Sequence, residues 1–283
     1  MNAILLSLVV LFVCLQSVAK KAYNERVSGG VYSFTAGSII FALIVFVVIA
    51  KGKLNFNIDV LMYAILFAIS YFSASVFSFL AISTGSLSLS SLIIQYSLVV
   101  PTFYGLIALD EPIKATLILG IFLLCISLIF VNLEGKGEKK ITLKWGMFAF
   151  LAFLGNGMCS TVQKVQQLDF GGMYKSEFMI IALFMNAVAL VILSFVTEKK
   201  QTVVNYKKGF WLYAACGIAN GVTNLLVMIL SNTVPASVMF PVIAAGGIIL
   251  TALISMFVYK EKLSTQQKIG FALGVLAIVL LNI

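Results

Sequence analysis

Long apolar segments recur along this chain, and each is followed by a short polar link. About 20 helical residues span the hydrocarbon core of a bilayer, and only helices or closed barrels satisfy their backbone hydrogen bonds there. The segments therefore predict transmembrane helices, and the fold class that we expect is an all-α integral membrane protein. The ten expected helices cover residues 2–21, 31–50, 60–82, 86–108, 115–133, 145–166, 176–197, 210–231, 236–258 and 267–283.

The composition also indicates a lipid environment. Hydrophobic residues make up 61% of the 283 residues and charged residues only 10%, too few polar side chains to cover a water-soluble protein of this size. The net charge of +9 arises in short loops, where lysines suit anionic lipid head groups better than nucleic acid. The four cysteines are dispersed within apolar segments, and histidine is absent. We therefore expect no nucleic-acid partner, no metal, no cofactor and no enzymatic activity.

The two halves of the chain resemble each other. A shift of 150 residues gives four identities: Glu111 with Glu261, Gly120 with Gly270, Leu123 with Leu273, and Asn132 with Asn282. We expect a first five-helix repeat at 1–133, a linker loop at 134–144 and a second five-helix repeat at 145–283. Because each repeat crosses the membrane an odd number of times, the repeats are expected to be inverted around a central cavity. The two glutamates precede a helix, and we expect them to cap helix N-termini.

The ends of both repeats carry a family pattern. The second repeat ends in "SNTVPASVMFPVIAAGGIILTALISMFVYKEKLSTQQKIGFALGVLAIVLLNI" (231–283), and the first in "AISTGSLSLSSLIIQYSLVVPTFYGLIALDEPIKATLILGIF" (81–122). Each has a small-residue turn, an apolar helix, an acidic link and a glycine-containing last helix. This resembles the EamA-type proteins of the drug/metabolite transporter superfamily. The resemblance implies ten helices around a central cavity and transport of small organic molecules by alternating access.

Polar side chains lie at helical spacing within several segments. Amides in contact with hydrocarbon are costly, so these faces are expected to point inward, where they either hold helices together or line a cavity. The candidate substrate-binding residues among them are Asn156, Ser160 and Gln163 in the sixth segment, Asn220 and Asn224 in the eighth, Gln95 in the fourth, Tyr71 in the third and Gln16 in the first.

Two lysines complete this candidate set. Lys20 and Lys164 come late in the first and sixth segments. An intramembrane lysine is a candidate functional residue that favours a carboxylate or phosphate, but here the long stem could also reach the interface. The first segment and the interior of the sixth contain no Asp or Glu. The resemblance therefore disfavours the exchange of protons for cationic drugs through a carboxylate in the first helix.

These observations favour a secondary active transporter that exports or exchanges small polar or amphipathic metabolites such as amino acids. One alternative is an antiporter of phosphorylated metabolites or nucleotide sugars. Another is a non-transporting accessory or lipid-flipping membrane protein. We expect a small-molecule substrate, contact with membrane lipid, and a monomer or homodimer.

The distribution of basic residues predicts the orientation in the cell membrane, most simply a bacterial inner or plasma membrane. Five lysines fall on the side of the termini, and the other fourteen of the 19 basic residues fall on the opposite side. The positive-inside rule then places both termini outside the cytoplasm. The five are Lys51, Lys53, Lys114, Lys164 and Lys175.

Overall fold

The computed structural model describes residues 2–27, 30–55, 57–84, 94, 96–132, 142–257 and 264–281. Within these ranges the regular secondary structure is helical, and a 3₁₀ turn at Tyr96–Leu98 leads into the fourth α-helix. The α-helices are α1 (Asn2–Arg26), α2 (Val31–Ala50), α3 (Ile58–Thr84), α4 (Val99–Ala108), α5 (Ala115–Asn132), α6 (Leu143–Asp169), α7 (Lys175–Glu198), α8 (Gln201–Ser231), α9 (Ala236–Phe257) and α10 (Thr265–Leu281).

Most helix boundaries lie within three residues of the prediction, but two helices are longer and one differs at its start. The helix predicted at 86–108 is interrupted by the 3₁₀ turn at Tyr96–Leu98, so that α4 begins only at Val99, and the predicted start at residue 86 lies outside the described residues. α1 continues to Arg26 and so includes Glu25 in its last turn, whereas the apolar span Asn2–Lys20 is free of carboxylates. α8 begins at Gln201 rather than at residue 210. Its first turns bury small and polar side chains on one face and expose lysines on the other, so the pattern is amphipathic and escapes a search for apolar segments.

Six helices among the described residues are long and apolar enough to cross a membrane. They are Asn2–Lys20, Val31–Ala50, Ile58–Ser78, Leu143–Asp169, Lys175–Glu198 and Gln201–Ser231. Four further apolar stretches are shorter, at Val99–Ala108, Ala115–Ser127, Ala236–Gly247 and Lys268–Ala277. The all-helical membrane architecture is therefore confirmed, while ten crossings in two inverted repeats stay a prediction.

The chain forms two compact units, and each draws on both halves of the sequence. The first unit comprises Ala3–Ile69 and Val165–Asn232, and the second comprises Ser70–Lys164 and Thr233–Ile283. The predicted repeat boundary at 134–144 describes duplication in the sequence and falls largely outside the described residues. It stays a prediction.

In the first unit, α2 packs against both α7 and α8. Gly217 and Gly221 lie four positions apart on α8, at this contact: a Cβ atom on Gly217 would approach the Ser38 carbonyl oxygen to 2.2 Å. The absence of a side chain there lets the two backbones touch, as in close helix pairs within membranes. α1 joins this unit through a buried cluster that contains Tyr23, Phe34 and Tyr213, in which the rings of Tyr23 and Phe34 are in contact.

In the second unit, α5 packs along α10, and α9 contacts α4 and α10. Here the hydroxyl of Ser127 donates a 2.6 Å hydrogen bond to the carbonyl oxygen of Gly270. The equivalent glycine one turn later, Gly274, faces the same hydroxyl. Pro241 lies inside α9, whereas Pro101 lies in the first turn of α4, where a proline disturbs a helix least.

Candidate functional site

A group of polar side chains joins α1 to α8 in the first unit, and we call it the amide cluster: Gln16, Asn220, Thr223 and Asn224. The three residues on α8 share one face because they are spaced by three and four positions. Their common partner is Gln16 on α1. All four side chains are half-buried.

The hydrogen bonds of this cluster run through both ends of the Gln16 amide. Asn220 Nδ2 donates to Gln16 Oε1 at 3.1 Å, and Gln16 Nε2 donates to Thr223 Oγ1 at 3.1 Å. Asn224 Nδ2 in turn donates to Asn220 Oδ1 at 3.1 Å. The sequence prediction that Gln16, Asn220 and Asn224 face inward is consistent with this geometry, and the structure brings these three together.

The amide cluster carries donors and acceptors but no charge. A ligand can exchange hydrogen bonds with half-buried amides at little cost, because the amides keep the same number of partners. Lys20 lies one turn after Gln16 on α1, and its side chain is exposed. The amide cluster itself therefore offers a ligand only neutral groups, namely three side-chain amides and one hydroxyl.

The predicted residues of α6 belong to the second unit, whereas the amide cluster belongs to the first. Asn156 is half-buried, and its Nδ2 donates to the Ala152 carbonyl oxygen of its own helix at 3.0 Å. Ser160 is half-buried and Gln163 is 4% exposed. Tyr71 on α3 is half-buried, and its carbonyl oxygen accepts from Ser75. Gln95 lies outside the described residues.

Lys164 is buried near the start of α9. It is 4% exposed, and its Nζ donates to the Val234 carbonyl oxygen at 2.8 Å. Glu111 is close enough to stabilise the ammonium group electrostatically. The ammonium group of Lys164 thus has partners within the second unit of the protein.

Glu111 caps a helix, as predicted, but the helix is not the one that follows it in sequence. Its carboxylate accepts from the backbone nitrogens of Ala236 (2.6 Å) and Ser237 (2.9 Å) and from the Ser237 hydroxyl (2.5 Å), at the beginning of α9. These donors are the unpaired groups of a helix N-terminus, and a carboxylate also complements the helix dipole. Glu261, the predicted counterpart, lies outside the described residues.

Sequence reasoning missed a second cap of this kind, in the first unit. Glu198, at the end of α7, accepts from the Ser33 backbone nitrogen at 3.1 Å and from the Ser33 hydroxyl, and so caps α2. Asn205 Nδ2 on α8 donates to the same carboxylate at 3.1 Å. The predicted helices 176–197 and 210–231 leave Glu198 and Asn205 in a link, where no local pattern marks a partner of Glu198 more than 160 positions away.

Two further polar residues of α7 were not among the predicted site residues. Asn186 is 2% exposed and donates to the carbonyl oxygens of Ala68 (3.1 Å) and Ala182 (3.0 Å), so it ties α7 to α3. Glu177 accepts from the Asn55 backbone nitrogen at 3.0 Å. Glu177 therefore joins the start of α7 to the link between α2 and α3, and Glu198 joins the end of α7 to the start of α2.

The comparisons with known proteins identify the family. Residues 143–283 match the model of the EamA-like transporter family, a family of the drug/metabolite transporter superfamily. The chain belongs to this family. A search of curated proteins found no match. The EamA-like chain therefore is a multi-pass membrane protein of a transporter family, consistent with its apolar helices.

The fold has been seen before. A crystal structure of another protein is similar to the EamA-like chain with a TM-score of 0.80, at 12% sequence identity. The similarity covers 99% of this chain and 95% of the other. At this identity the likeness concerns the fold alone.

Proposed function

We propose that this protein is a secondary active transporter that exports or exchanges small polar or amphipathic metabolites, such as amino acids, by alternating access. Its family membership supports transport in general. The observation that carries the narrower proposal is the amide cluster, in which Gln16, Asn220 and Asn224 form a half-buried, uncharged set of donors and acceptors. No metal or cofactor enters this proposal.

The chemistry of the cluster favours neutral or zwitterionic substrates. Amide oxygens accept from an ammonium group and amide nitrogens donate to a carboxylate, so one neutral cluster serves both ends of an amino acid. A phosphorylated substrate needs concentrated positive charge. Lys164 already donates to the Val234 carbonyl oxygen and lies beside Glu111, which makes it a poor phosphate ligand. We therefore rank the phosphorylated-metabolite antiporter second.

The finer architecture is part of the same proposal. We expect ten crossings as two inverted five-helix repeats around a central cavity, in a monomer or homodimer in the cell membrane. The charge bias places both termini outside the cytoplasm. A reporter enzyme that is active only in the cytoplasm, fused to either terminus, tests this orientation: activity would contradict it.

Ligand-induced thermal stabilisation tests the binding site. A ligand of the folded state stabilises it by about 2.7 kcal/mol at 100 times its dissociation constant. The purified protein is screened against amino acids, organic cations, phosphorylated sugars and nucleotide sugars. We expect a rise in melting temperature with neutral amino acids or similar zwitterions.

Substitution then locates the ligand. Asn220→Ala is expected to abolish the rise in melting temperature, while Asn232→Ala retains it. Asn232 is a matched control because it is an exposed asparagine at the end of the same helix and bonds to its own helix. Stabilisation by phosphorylated sugars alone would favour the antiporter. No stabilisation of a monodisperse protein by any class would favour the accessory or lipid-flipping alternative.

A further inference from the structure

Lys20 lies on the face of α1 that packs into the first unit. Val9 and Tyr23 mark this face, since they are 0% and 1% exposed, and Gln16 of the amide cluster lies between them at the same helical spacing. Lys20 follows Gln16 by four positions and precedes Tyr23 by three. Residues three and four positions apart are neighbours on one side of a helix, so Lys20 belongs to the inner face.

The exposed apolar side of α1 points elsewhere. Its large exposed side chains recur every three or four positions and are between 39% and 68% exposed: Ile4, Leu8, Leu11 and Leu15. In a membrane protein this stripe is the side that faces lipid. Lys20 comes five positions after Leu15, which turns it by about 140° away from the stripe.

The side chain of Lys20 is nevertheless exposed. Exposure at one position of an otherwise buried face requires open space beside α1 at that level. The ammonium group lies within electrostatic range of the Cys216 thiol on α8. Cys216 Sγ is 4.0 Å from the Gln16 carbonyl oxygen, and Cys216 precedes Asn220 by one helical turn. The open space therefore borders the amide cluster.

The two helices that form the amide cluster offer Lys20 little negative charge. α8 contains no Asp or Glu, and the single one in α1 is Glu25, close to the end of the helix. A lysine at the end of the apolar span Asn2–Lys20 is costly to keep away from bulk water, and such a residue marks a functional site. An anionic group of a ligand beside Lys20 would offset this cost.

We propose that Lys20 binds the carboxylate of the transported substrate, next to the amide cluster. This inference rests on the proposed transport function and narrows its substrates to compounds that carry a carboxylate. Lys20 and Gln16 are one turn apart, about 5.4 Å along the helix axis, and both charged groups of an α-amino acid are attached to one carbon atom. The carboxylate accepts from Lys20, while the ammonium group of the substrate donates to the amide oxygens of the cluster.

Pairs of ligands that differ only in the carboxylate test this site. Leucine, phenylalanine, glutamine and threonine are each compared with their own α-carboxamide, by thermal stabilisation of the purified full-length protein in detergent micelles. At about pH 6 the amino group of every ligand is protonated. We expect the wild-type protein to bind at least one of these amino acids about tenfold more tightly than its amide, because the amide loses a charge-assisted hydrogen bond.

Substitution of Lys20 shows whether this residue causes the preference. Lys20→Met should weaken binding of the amino acid about tenfold, so that acid and amide bind alike, whereas Lys20→Arg should keep the preference. The ratio of the two affinities does not change through a loss of protein stability alone, because both ligands bind the same protein. Lys20→Gln takes the place of Lys20→Met if the latter does not purify as a folded protein.

Lys207→Met is the matched control. Lys207 is an exposed lysine near the start of α8, thirteen positions before Asn220. Loss of the preference in Lys20→Met with its retention in Lys207→Met supports the proposal. A preference that persists in folded Lys20→Met overturns it, and would mean that the lysine only extends to the membrane interface.

Two further outcomes separate this inference from the proposed function. Stabilisation of the wild-type protein by an amino acid and its amide to the same extent would refute the carboxylate site and leave the transporter proposal standing. Absence of stabilisation by every amino acid and amide would refute the carboxylate site together with the proposed amino-acid substrates.

Discussion

Two helices of this protein begin against a glutamate from a distant part of the sequence, and the two arrangements differ in what stands beside the carboxylate. In the second unit Glu111 caps α9 through Ala236 and Ser237, and the ammonium group of Lys164 lies nearby. In the first unit Glu198 caps α2 through Ser33, and the neighbouring group is the Asn205 amide. The neighbour of Glu111 is thus a buried ammonium group, whereas the neighbour of Glu198 is a neutral amide. The same capping chemistry therefore neutralises a buried positive charge in one unit and involves only uncharged donors in the other.

The largest effect is expected at the Glu111 cap. Glu111→Ala removes charge-assisted hydrogen bonds to two backbone nitrogens and a hydroxyl, and it leaves buried Lys164 without its nearby carboxylate. We expect a loss of about 3 kcal/mol in the free energy of unfolding, measured in detergent micelles. Adding Lys164→Met should recover part of the loss. Asp110→Asn is the control, since Asp110 is exposed. If Glu111→Ala lost no more stability than this control, the claim that the Glu111 cap stabilises the fold would be wrong.

An intermediate effect is expected where the Glu198 cap meets a glycine. Gly30 has a φ of +84°, and a Cβ atom there would lie 2.4 Å from Asn205 Nδ2 and 2.6 Å from the Tyr23 hydroxyl. We expect Gly30→Ala to cost about 2–3 kcal/mol, from both backbone strain and the clash. Gly52→Ala separates the two, because Gly52 has a φ of +71° and open space around it. The cost of Gly52→Ala should be about 1 kcal/mol. Equal costs for the two substitutions would mean that Asn205 and Tyr23 leave room for a side chain at position 30.

The smallest effects are expected for the two serine hydroxyls that donate to the capping carboxylates. Ser33→Ala and Ser237→Ala each remove one hydroxyl that donates to a capping carboxylate, and each should cost about 1 kcal/mol at neutral pH. Chemical denaturation in detergent micelles measures both costs. A cost at Ser33 or Ser237 no larger than the error of the measurement would show that the hydroxyl of that residue does not contribute to its cap.

The sequence predicted the positions of the helices better than the contacts between residues that are distant in the chain. Apolar segment length was enough to place α2 at its observed residues and most other helices closely, because the bilayer sets that length. The inward faces of Gln16 and Asn220 followed from the cost of exposing amides to lipid. The amphipathic start of α8 was missed because its buried side chains are polar, such as Thr202 and Asn205.

The pairing of carboxylates with helix ends was beyond sequence reasoning. Glu111 reaches residues 125 positions away at Ala236, and Glu198 reaches Ser33 across 165 positions. Helical periodicity relates only residues within a few turns of each other, so it gives no information about such contacts. Only the tertiary packing of α2 on α7 and of α9 on α4 brings these groups together.

Exchange of labelled amino acids by proteoliposomes tests the central claim, that the EamA-like chain moves neutral or zwitterionic metabolites through the amide cluster. We predict that wild-type protein exchanges at least one such compound faster than protein-free liposomes, that Asn220→Ala abolishes this exchange, and that Asn232→Ala retains it. Exchange no faster than protein-free liposomes for every compound, by a folded and monodisperse protein, would contradict the account.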